Sequence, residues 1–297
     1  MNDRPNERRR ERGAHSRDDR AQNRPADYAD RPRRSGGKHK NGKLMYYGVL
    51  VLLMLVLVFS SVKIISYVAE KKASERNQRE LIDQVVTPVT PSEPDNANST
   101  DNTATAGSEP DYITVDFDAL QAKYPDVVGW LYCANTGLNY PIVQTAEEGG
   151  EYYLYRDIDG SSNQNGTVFL DWRCNSDFSS QNNLLYGHNM KTGRMFAPIV
   201  KYKDQSFYDA HPYMYLYTPD QLYKVNLFAG MVTPGDSTVY NYSLSSDYII
   251  ECISRSSFTS SVGTPTGNIL TLSTCDYVYD NARYVVMGEL VPIDWPS

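Results

Sequence analysis

Asn268-Ile-Leu-Thr-Leu-Ser-Thr-Cys275 is the stretch from which the fold can be worked out. Its apolar and β-branched residues predict a buried strand that ends at a cysteine, and Asp276 begins the turn that follows. A second apolar run, Arg283–Val291, predicts the next strand. We therefore expect the thiol at the end of one strand and the guanidinium at the start of the other to meet across a hairpin.

One apolar segment near the N-terminus divides the chain. Residues 1–43 contain 14 Lys/Arg and 7 Asp/Glu, a balance of +7, whereas the whole chain of 297 residues carries −7. Leu44–Val62 follows with 19 residues and no charge, which is long enough to span a bilayer as a helix. The basic cluster before it predicts a cytoplasmic N-terminus and an extracellular remainder at the cell membrane. A cleaved signal peptide is the competing interpretation, which the length of the apolar run and of the preceding region disfavours.

The sequence accordingly divides into four predicted regions. Residues 1–43 form a basic, disordered cytoplasmic tail, 44–62 a transmembrane signal anchor, 63–111 an extracellular stalk and linker, and 112–297 the folded domain. The linker prediction rests on 86–111, which is poor in hydrophobic residues and rich in Pro, Ser, Thr, Asn and Asp. For the tail, contact with anionic lipid head groups is favoured over nucleic-acid binding, and the acidic remainder also argues against nucleic acid as a partner.

The four cysteines, at positions 133, 174, 252 and 275, include no C-x-x-C pair. Their spacing is unsuited to a zinc site, and neither a metal nor a cofactor is expected. Disulfides stay open, because two bridges in three pairings are possible outside the cell. A domain of this size can nevertheless bury a sufficient core without them.

Short strands dominate the predicted secondary structure after residue 112. The segments with strand and turn signals are 127–132, 138–144, 166–172, 183–188, 213–217, 222–231, 268–275 and 283–291. Helical spacing predicts a helix behind Asp116, another over 196–208, and a third over 246–257, inserted before the cysteine strand. We therefore expect a mainly β protein, a closed β-barrel with an N-terminal helix and helical insertions.

Strand geometry also predicts a group of residues that could carry chemistry. Side chains alternate along a strand, so Ser273 and Cys275 share one face. If the neighbouring strands are 183–188 and 283–291, His188 and Arg283 reach the same end of the sheet. A thiolate is a nucleophile, an imidazole can exchange a proton with it, and a guanidinium can stabilise an oxyanion. Each residue also has an ordinary explanation, because a cysteine at a strand end is more often a small core residue.

Three blocks of sequence resemble the signature motifs of sortases, specifically those of class B: Thr271-Leu-Ser-Thr-Cys275, Tyr186-Gly-His-Asn-Met190 and Arg283. The likeness covers nearly all of 115–292, in collinear order, and the helical insertion before the cysteine strand is also similar to class B. The resemblance implies a closed eight-stranded sortase-type β-barrel, an N-terminal membrane anchor in Gram-positive bacteria, and cysteine transpeptidation. The further matching blocks are at 138–144, 153–154, 166–173 and 191–197.

The resemblance also implies roles for individual residues. Cys275 is expected to attack the threonine carbonyl of a C-terminal sorting motif, of the LPXTG or NPQTN kind, in a secreted protein and so form a thioester. His188 is expected to act as general acid and base, and Arg283 to hold the substrate carbonyl and its oxyanion. The acceptor amine is expected to come from a peptidoglycan peptide branch or lipid II, which would anchor surface proteins to the cell wall. The residues expected to contact substrate are Ser273, Thr274, Tyr186, Leu154 and Tyr240.

Other functions stay open on the sequence. A pilin-polymerising sortase would use a lysine as the acceptor, and a catalytically idle, membrane-tethered binding module would use none of this chemistry. A thiol–disulfide oxidoreductase is disfavoured, because no resolving cysteine lies close in sequence to Cys275.

Overall fold

The computed structural model describes residues 41–89, 112–146 and 150–295. The chain divides into two compact units, Met1–Phe59 and Ser60–Ser297. Helix α1, Asn41–Val85, begins in the first unit. Within the described part of the chain it is the one helix that is long and apolar enough to cross a membrane. The predicted apolar segment is thus helical. Of the predicted disordered tail over 1–43, residues 1–40 lie outside the described residues and 41–43 belong to α1, while the direction of insertion stays a prediction.

The second unit is built mainly from strands. Their bounds, in chain order, are β1 Val86–Val89, β2 Tyr112–Val115, β3 Val127–Cys133, β4 Leu138–Val143, β5 Val168–Leu170, β6 Asn182–Tyr186, β7 Tyr213–Tyr217, β8 Leu222–Pro234, β9 Ile269–Cys275 and β10 Ala282–Ile293.

Eight of these strands close into a barrel in the order β10-β8-β7-β3-β4-β5-β6-β9. Neighbours are antiparallel except for the parallel pairs β4–β5 and β6–β9. Closure leaves no free sheet edge. The inward-facing residues fill a buried apolar cluster that includes Leu131, Leu216, Val225, Leu270 and Val286. The predicted fold class, a mainly β protein with a closed eight-stranded barrel, is confirmed.

The strand predictions hold to within a few residues except at two places. The predicted strand over 166–172 is reduced to β5, because Gly166 has a positive φ of 62° and Asp171 begins a turn closed by Cys174. The predicted strand over 183–188 ends at Tyr186, so His188 lies in the loop beyond β6 rather than in the sheet.

The helix behind Asp116 is confirmed as α2, Phe117–Lys123, where the Asp116 side chain accepts a hydrogen bond from the N–H of Ala119 at 2.9 Å. This is the expected capping arrangement, in which a carboxylate satisfies a free N–H of the first turn.

The other two predicted helices differ in detail. The single helix over 196–208 is wrong: a 3-10 helix, Ala197–Lys203, precedes α3, Gln205–Ala210. Asp204 separates them, because its backbone is extended and its carboxylate caps the second helix at Ser206. The insertion before the cysteine strand is α4, Ser246–Ser254, which ends earlier than predicted.

The predicted linker over 86–111 is wrong at its N-terminal end. Val86–Val89 pairs antiparallel with β2, in a register that places Val86 opposite Val115. Leu81 and Val85 at the end of α1 are buried in one cluster with Ile113. Burial of these apolar side chains outweighs the polar composition of the segment as a whole. Residues 90–111 lie outside the described residues.

Candidate active site

Strand register places the end of β9, which carries Cys275, beside the start of β10, which carries Arg283. Cys275, the last residue of β9, is the register partner of Arg283 in β10, and Ser273 is the partner of Val285. On its other side β9 runs parallel to β6, where Tyr186 is the partner of Ser273. The predicted neighbours of the cysteine strand, the segments 183–188 and 283–291, are therefore confirmed as β6 and β10.

The loop that carries His188 is tied directly to the cysteine strand. The Thr274 hydroxyl donates to the carbonyl of Gly187 at 2.7 Å, and the Asn189 amide donates to the carbonyl of Cys275 at 2.8 Å. Gly187 has to be small, because a Cβ there would approach the ring of Phe196 to 2.8 Å. These contacts fix the backbone on both sides of His188 relative to Cys275.

The His188 ring is oriented by a backbone carbonyl. Its Nε2 lies 2.8 Å from the carbonyl oxygen of Leu154, in the 3-10 helix Tyr152–Tyr155. A carbonyl oxygen only accepts hydrogen bonds, so Nε2 carries a proton and Nδ1 is the nitrogen left for acid–base work. The Tyr155 ring packs beside the imidazole, with ring centroids 5.3 Å apart. The arrangement resembles a catalytic base that is oriented by a third group.

All eight residues predicted for the site line one cleft of about 540 Å³. The cleft is large enough for a short peptide. Thr274 and Ser273 are both buried, and the Thr274 hydroxyl is committed to the Gly187 carbonyl. The cleft brings together Leu154, Tyr186, His188, Tyr240, Ser273, Thr274, Cys275 and Arg283.

Tyr240 and Ser273 form one wall of the cleft. Their hydroxyl oxygens are 2.9 Å apart, and the Tyr240 ring stacks on that of Tyr186 with centroids 6.2 Å apart. Burial raises the pKa of Tyr240 to about 12, so its phenol is neutral at physiological pH and can donate a hydrogen bond.

An ion pair that also lines the cleft, Asp171–Arg173, was not predicted from the sequence. Asp171 is buried and accepts from Arg173 at 2.8 and 2.7 Å and from the Tyr186 hydroxyl at 3.0 Å. Burial would raise the pKa of Asp171, but these hydrogen bonds outweigh it and the pKa lies below its ordinary value. Arg173 also reaches the carbonyl of Tyr240 at 3.4 Å. The sequence does contain a signal for this ion pair, because Asp171 and Arg173 are two residues apart and directly follow an apolar strand.

The remaining three cysteines lie away from this chemistry. None of the four cysteines, all of which lie in the described part of the chain, forms a disulfide; Cys133, Cys174 and Cys252 are buried whereas Cys275 is half-buried. Burial raises the pKa of Cys252 to about 11 and also raises the pKa of Cys174. Both thiols are therefore held in the protonated, unreactive form.

Comparison with known proteins agrees with this geometry. The model of the sortase domain family matches residues 131–291. This match spans more than half of the chain and reaches all eight strands of the barrel, beginning within β3 and ending within β10. The chain therefore belongs to the sortase family.

Individual relatives narrow the class. The chain is 35% identical to sortase B of Listeria monocytogenes over 180 residues, which are 58% of this chain and 72% of that protein. A Staphylococcus aureus sortase B–substrate complex superimposes with a TM-score of 0.56 and 27% identity, covering 60% of this chain and 85% of that one. Clostridium perfringens sortase B gives a TM-score of 0.54 at 27% identity, covering 59% of this chain and all of that one. The protein is a class B sortase, a cysteine transpeptidase.

Proposed function

We propose that this sortase cleaves a C-terminal sorting motif of the LPXTG or NPQTN kind at the threonine carbonyl and transfers the secreted protein to a peptidoglycan amine. The observation that carries the proposal is the convergence of Cys275, His188 and Arg283 in one peptide-sized cleft. The chemistry requires a nucleophile, a proton carrier and an anion-stabilising group, and these three side chains supply one each.

In the first half-reaction the Cys275 thiol gives its proton to Nδ1 of His188, the sulfur attacks the threonine carbonyl carbon, and the carbonyl electrons move to oxygen. Arg283, opposite Cys275 in the sheet, faces this oxyanion with a permanent charge. The carbon–nitrogen bond then breaks, and His188 donates a proton from Nδ1 to the departing amine. A thioester between threonine and Cys275 remains.

In the second half-reaction an acceptor amine attacks the thioester carbon and gives a proton to His188. The carbon–sulfur bond breaks, the sulfur leaves as thiolate, and a new amide forms. One amide replaces another, so the exchange needs no nucleotide. The Leu154 carbonyl keeps the imidazole in one tautomer through both steps, since it holds the Nε2 proton.

Ser273, Tyr240 and Tyr186 form the proposed substrate wall, and Leu154 also lines the cleft. Ser273 shares a strand face with Cys275, so its hydroxyl can reach the residues of the motif beside the scissile bond. The apolar part of α1 supports a membrane anchor, with the barrel outside the cell beside both secreted substrate and wall precursor.

The test is transpeptidation by the full chain in detergent. Labelled peptides that contain each motif are incubated with either a peptide bearing a free N-terminal amine or a lysine side-chain amine, and products are sequenced by mass spectrometry. We expect a new amide at threonine with the N-terminal amine, retained in Cys252→Ala and lost in Cys275→Ala. Equal product from wild type and Cys275→Ala would overturn the proposal. Transfer to the lysine amine alone would instead indicate a pilin-polymerising enzyme.

A further inference from the structure

The C-terminal part of α1 makes polar contacts with the two segments that surround His188. Ser74, Gln78, Leu81 and Val85 recur at spacings of three and four residues, so they share one face of the helix. Leu81 and Val85 are buried in the cluster against which Leu154 also packs. The polar residues of the same face lie further toward the N-terminus, where the helix meets surface loops.

The first contact is with the loop that returns from His188. The Arg194 guanidinium donates to the Gln78 side-chain oxygen, and its Nη1 lies 3.5 Å from a carboxylate oxygen of Glu75. The Arg194 side chain is only 21% exposed. Its Nη1 is buried without a hydrogen-bond partner, so the guanidinium depends on the carboxylate of Glu75 for charge compensation.

Arg194 is connected to His188 by backbone hydrogen bonds. The N–H of Phe196 donates to the His188 carbonyl at 2.9 Å, and Asn189 forms an antiparallel bridge with Met195. Arg194 is thus on the return limb of a short turn whose outgoing limb carries the imidazole. Backbone pairing therefore connects the segment of Arg194 to that of His188.

The second contact is with the loop that follows the 3-10 helix of Leu154. The Ser74 hydroxyl oxygen accepts from the side-chain amides of Asn163 and Asn165 at 3.2 and 3.0 Å. The N–H of Asn163 in turn donates to the Tyr155 carbonyl at 3.0 Å. Leu154, the preceding residue, supplies the carbonyl that binds His188. One helix segment therefore contacts both the limb that carries His188 and the limb that orients it.

We propose that the helix segment Ser74–Gln78, acting through Arg194, is a positioning element for His188. The proposal rests on the acid–base role proposed for that histidine. It assigns to residues before the barrel, predicted from the sequence to form a stalk, an effect on the rate of proton transfer. Arg194 does not line the catalytic cleft, so it acts by fixing the loop rather than by touching substrate.

The test compares variants of the full chain in detergent. Arg194→Gln removes the charge from the loop side, and the double variant Glu75→Gln/Gln78→Ala removes the partners from the helix side. We expect kcat to fall by about tenfold to a hundredfold in both, because misplacement by a fraction of an ångström slows a positioned proton transfer. KM should stay within about threefold of wild type, since the substrate wall is intact. Combining both changes should cost no more than either, and Arg194→Lys should recover part of kcat.

Two controls separate positioning from loss of folded protein. Arg255→Gln removes a guanidinium whose partner is Glu251, on α4, and should leave kcat and KM unchanged. Alkylation of Cys252, which is fully buried, reports the unfolded fraction in each sample. The proposal is overturned if Arg194→Gln behaves like Arg255→Gln, or if its loss of kcat matches the fraction of Cys252 that becomes labelled.

A measurement without substrate keeps this inference apart from the proposed function. The alkylation rate of Cys275 should fall in His188→Ala, and Arg194→Gln should approach that lower rate. If neither motif peptide reacts with wild type, the substrate proposal fails while the alkylation comparison still decides the role of Arg194. If Cys275 in Arg194→Gln were alkylated at the wild-type rate, a positioning role for Arg194 would be contradicted.

Discussion

Arg283 lies directly opposite Cys275 in the antiparallel pair of β9 and β10. Both side chains line the same cleft, and one guanidinium nitrogen of Arg283 donates to the carbonyl of Ala282 at 3.0 Å. This hydrogen bond holds one terminal nitrogen of the guanidinium against the strand backbone. The pairing with Cys275 is the basis for the proposal that Arg283 stabilises the oxyanion of acyl transfer.

We expect Arg283→Ala to lower kcat by about a hundredfold to a thousandfold, because an oxyanion donor contributes mainly in the transition state. Arg283→Lys should recover only part of this, since an ammonium group keeps the charge but not the planar fork. Steady-state kinetics with a sorting peptide provide the measurement, and Arg255→Gln serves as a control for the loss of an arginine elsewhere. A change in KM alone would show that Arg283 binds substrate without acting on the oxyanion.

Gly166 makes room for the Leu154 carbonyl that orients His188. It has a φ of 62°, and a Cβ at this position would overlap the Leu154 carbonyl oxygen and lie 2.8 Å from that of Tyr153. Gly166→Ala should therefore lower kcat as well as the melting temperature. Gly137→Ala is the matched control, because its φ is 83° and nothing lies within 4 Å of the added carbon.

Both variants place an alanine at a left-handed backbone conformation, which costs about 1–2 kcal/mol in each. The difference between them isolates the displacement of the Leu154 carbonyl. Equal activity in the two variants, at equal folded fraction, would argue against a role for that carbonyl.

Asp171 should make the stability of the barrel depend on pH at the acid end. Its pKa is lowered in the folded state, so its contribution is present above the ordinary value of about 3.9 and is lost as pH falls through the folded value. Asp171→Asn should cost about 1 kcal/mol at neutral pH, a value reduced by the 37% exposure of Arg173. Near pH 3 the difference from wild type should shrink.

Thermal unfolding at the two pH values measures this effect. Glu251→Gln removes an ion pair whose side chains are 42% and 53% exposed, and it should change the melting temperature little at either pH. A destabilisation by Asp171→Asn that is the same at both pH values would indicate a packing effect and contradict the electrostatic account.

Tyr240→Phe should weaken substrate binding without stopping the chemistry. It removes the phenol that bonds to the Ser273 hydroxyl at 2.9 Å, and one such hydrogen bond contributes about 0.5–1.5 kcal/mol. We expect KM to rise by about twofold to tenfold and kcat to change less. Ser273→Ala combined with Tyr240→Phe should be non-additive, because the two groups share one hydrogen bond.

The control for this pair is Tyr248→Phe, which removes another phenol that bonds to a serine, Ser237, at 3.0 Å. Tyr248 does not line the cleft. If KM were unchanged in Tyr240→Phe but raised in Tyr248→Phe, the claim that Tyr240 and Ser273 form the substrate wall would be wrong.

Much of this site could be predicted because strands alternate with a period of two. Because side chains alternate along a strand, Ser273 is predicted on the same face as Cys275. The hairpin between the two strands predicts Arg283 opposite Cys275, so both placements follow from local sequence. His188 was correctly placed at the same end of the sheet, although it lies in a loop rather than a strand.

The contacts that the sequence did not predict involve groups that cannot be recognised from the type of residue at one position. The partner of the His188 ring is a backbone carbonyl, which any residue at position 154 would supply. The Asp171–Tyr186 hydrogen bond requires β5 and β6 to be neighbours, and the Gln78–Arg194 contact joins residues 116 positions apart. The strand Val86–Val89 was hidden by the polar composition of the segment around it.

The most direct test of the account is the intact mass of the full chain after incubation with a sorting peptide in the absence of an acceptor amine. The account predicts an added mass equal to that of the peptide fragment ending at its threonine less one water, located at Cys275 by peptide mapping and released by hydroxylamine. It also predicts that Cys252→Ala gains the same mass and that Cys275→Ala gains none. An adduct on another residue, or peptide cleavage that persists in Cys275→Ala, would contradict the central claim that Cys275 is the nucleophile.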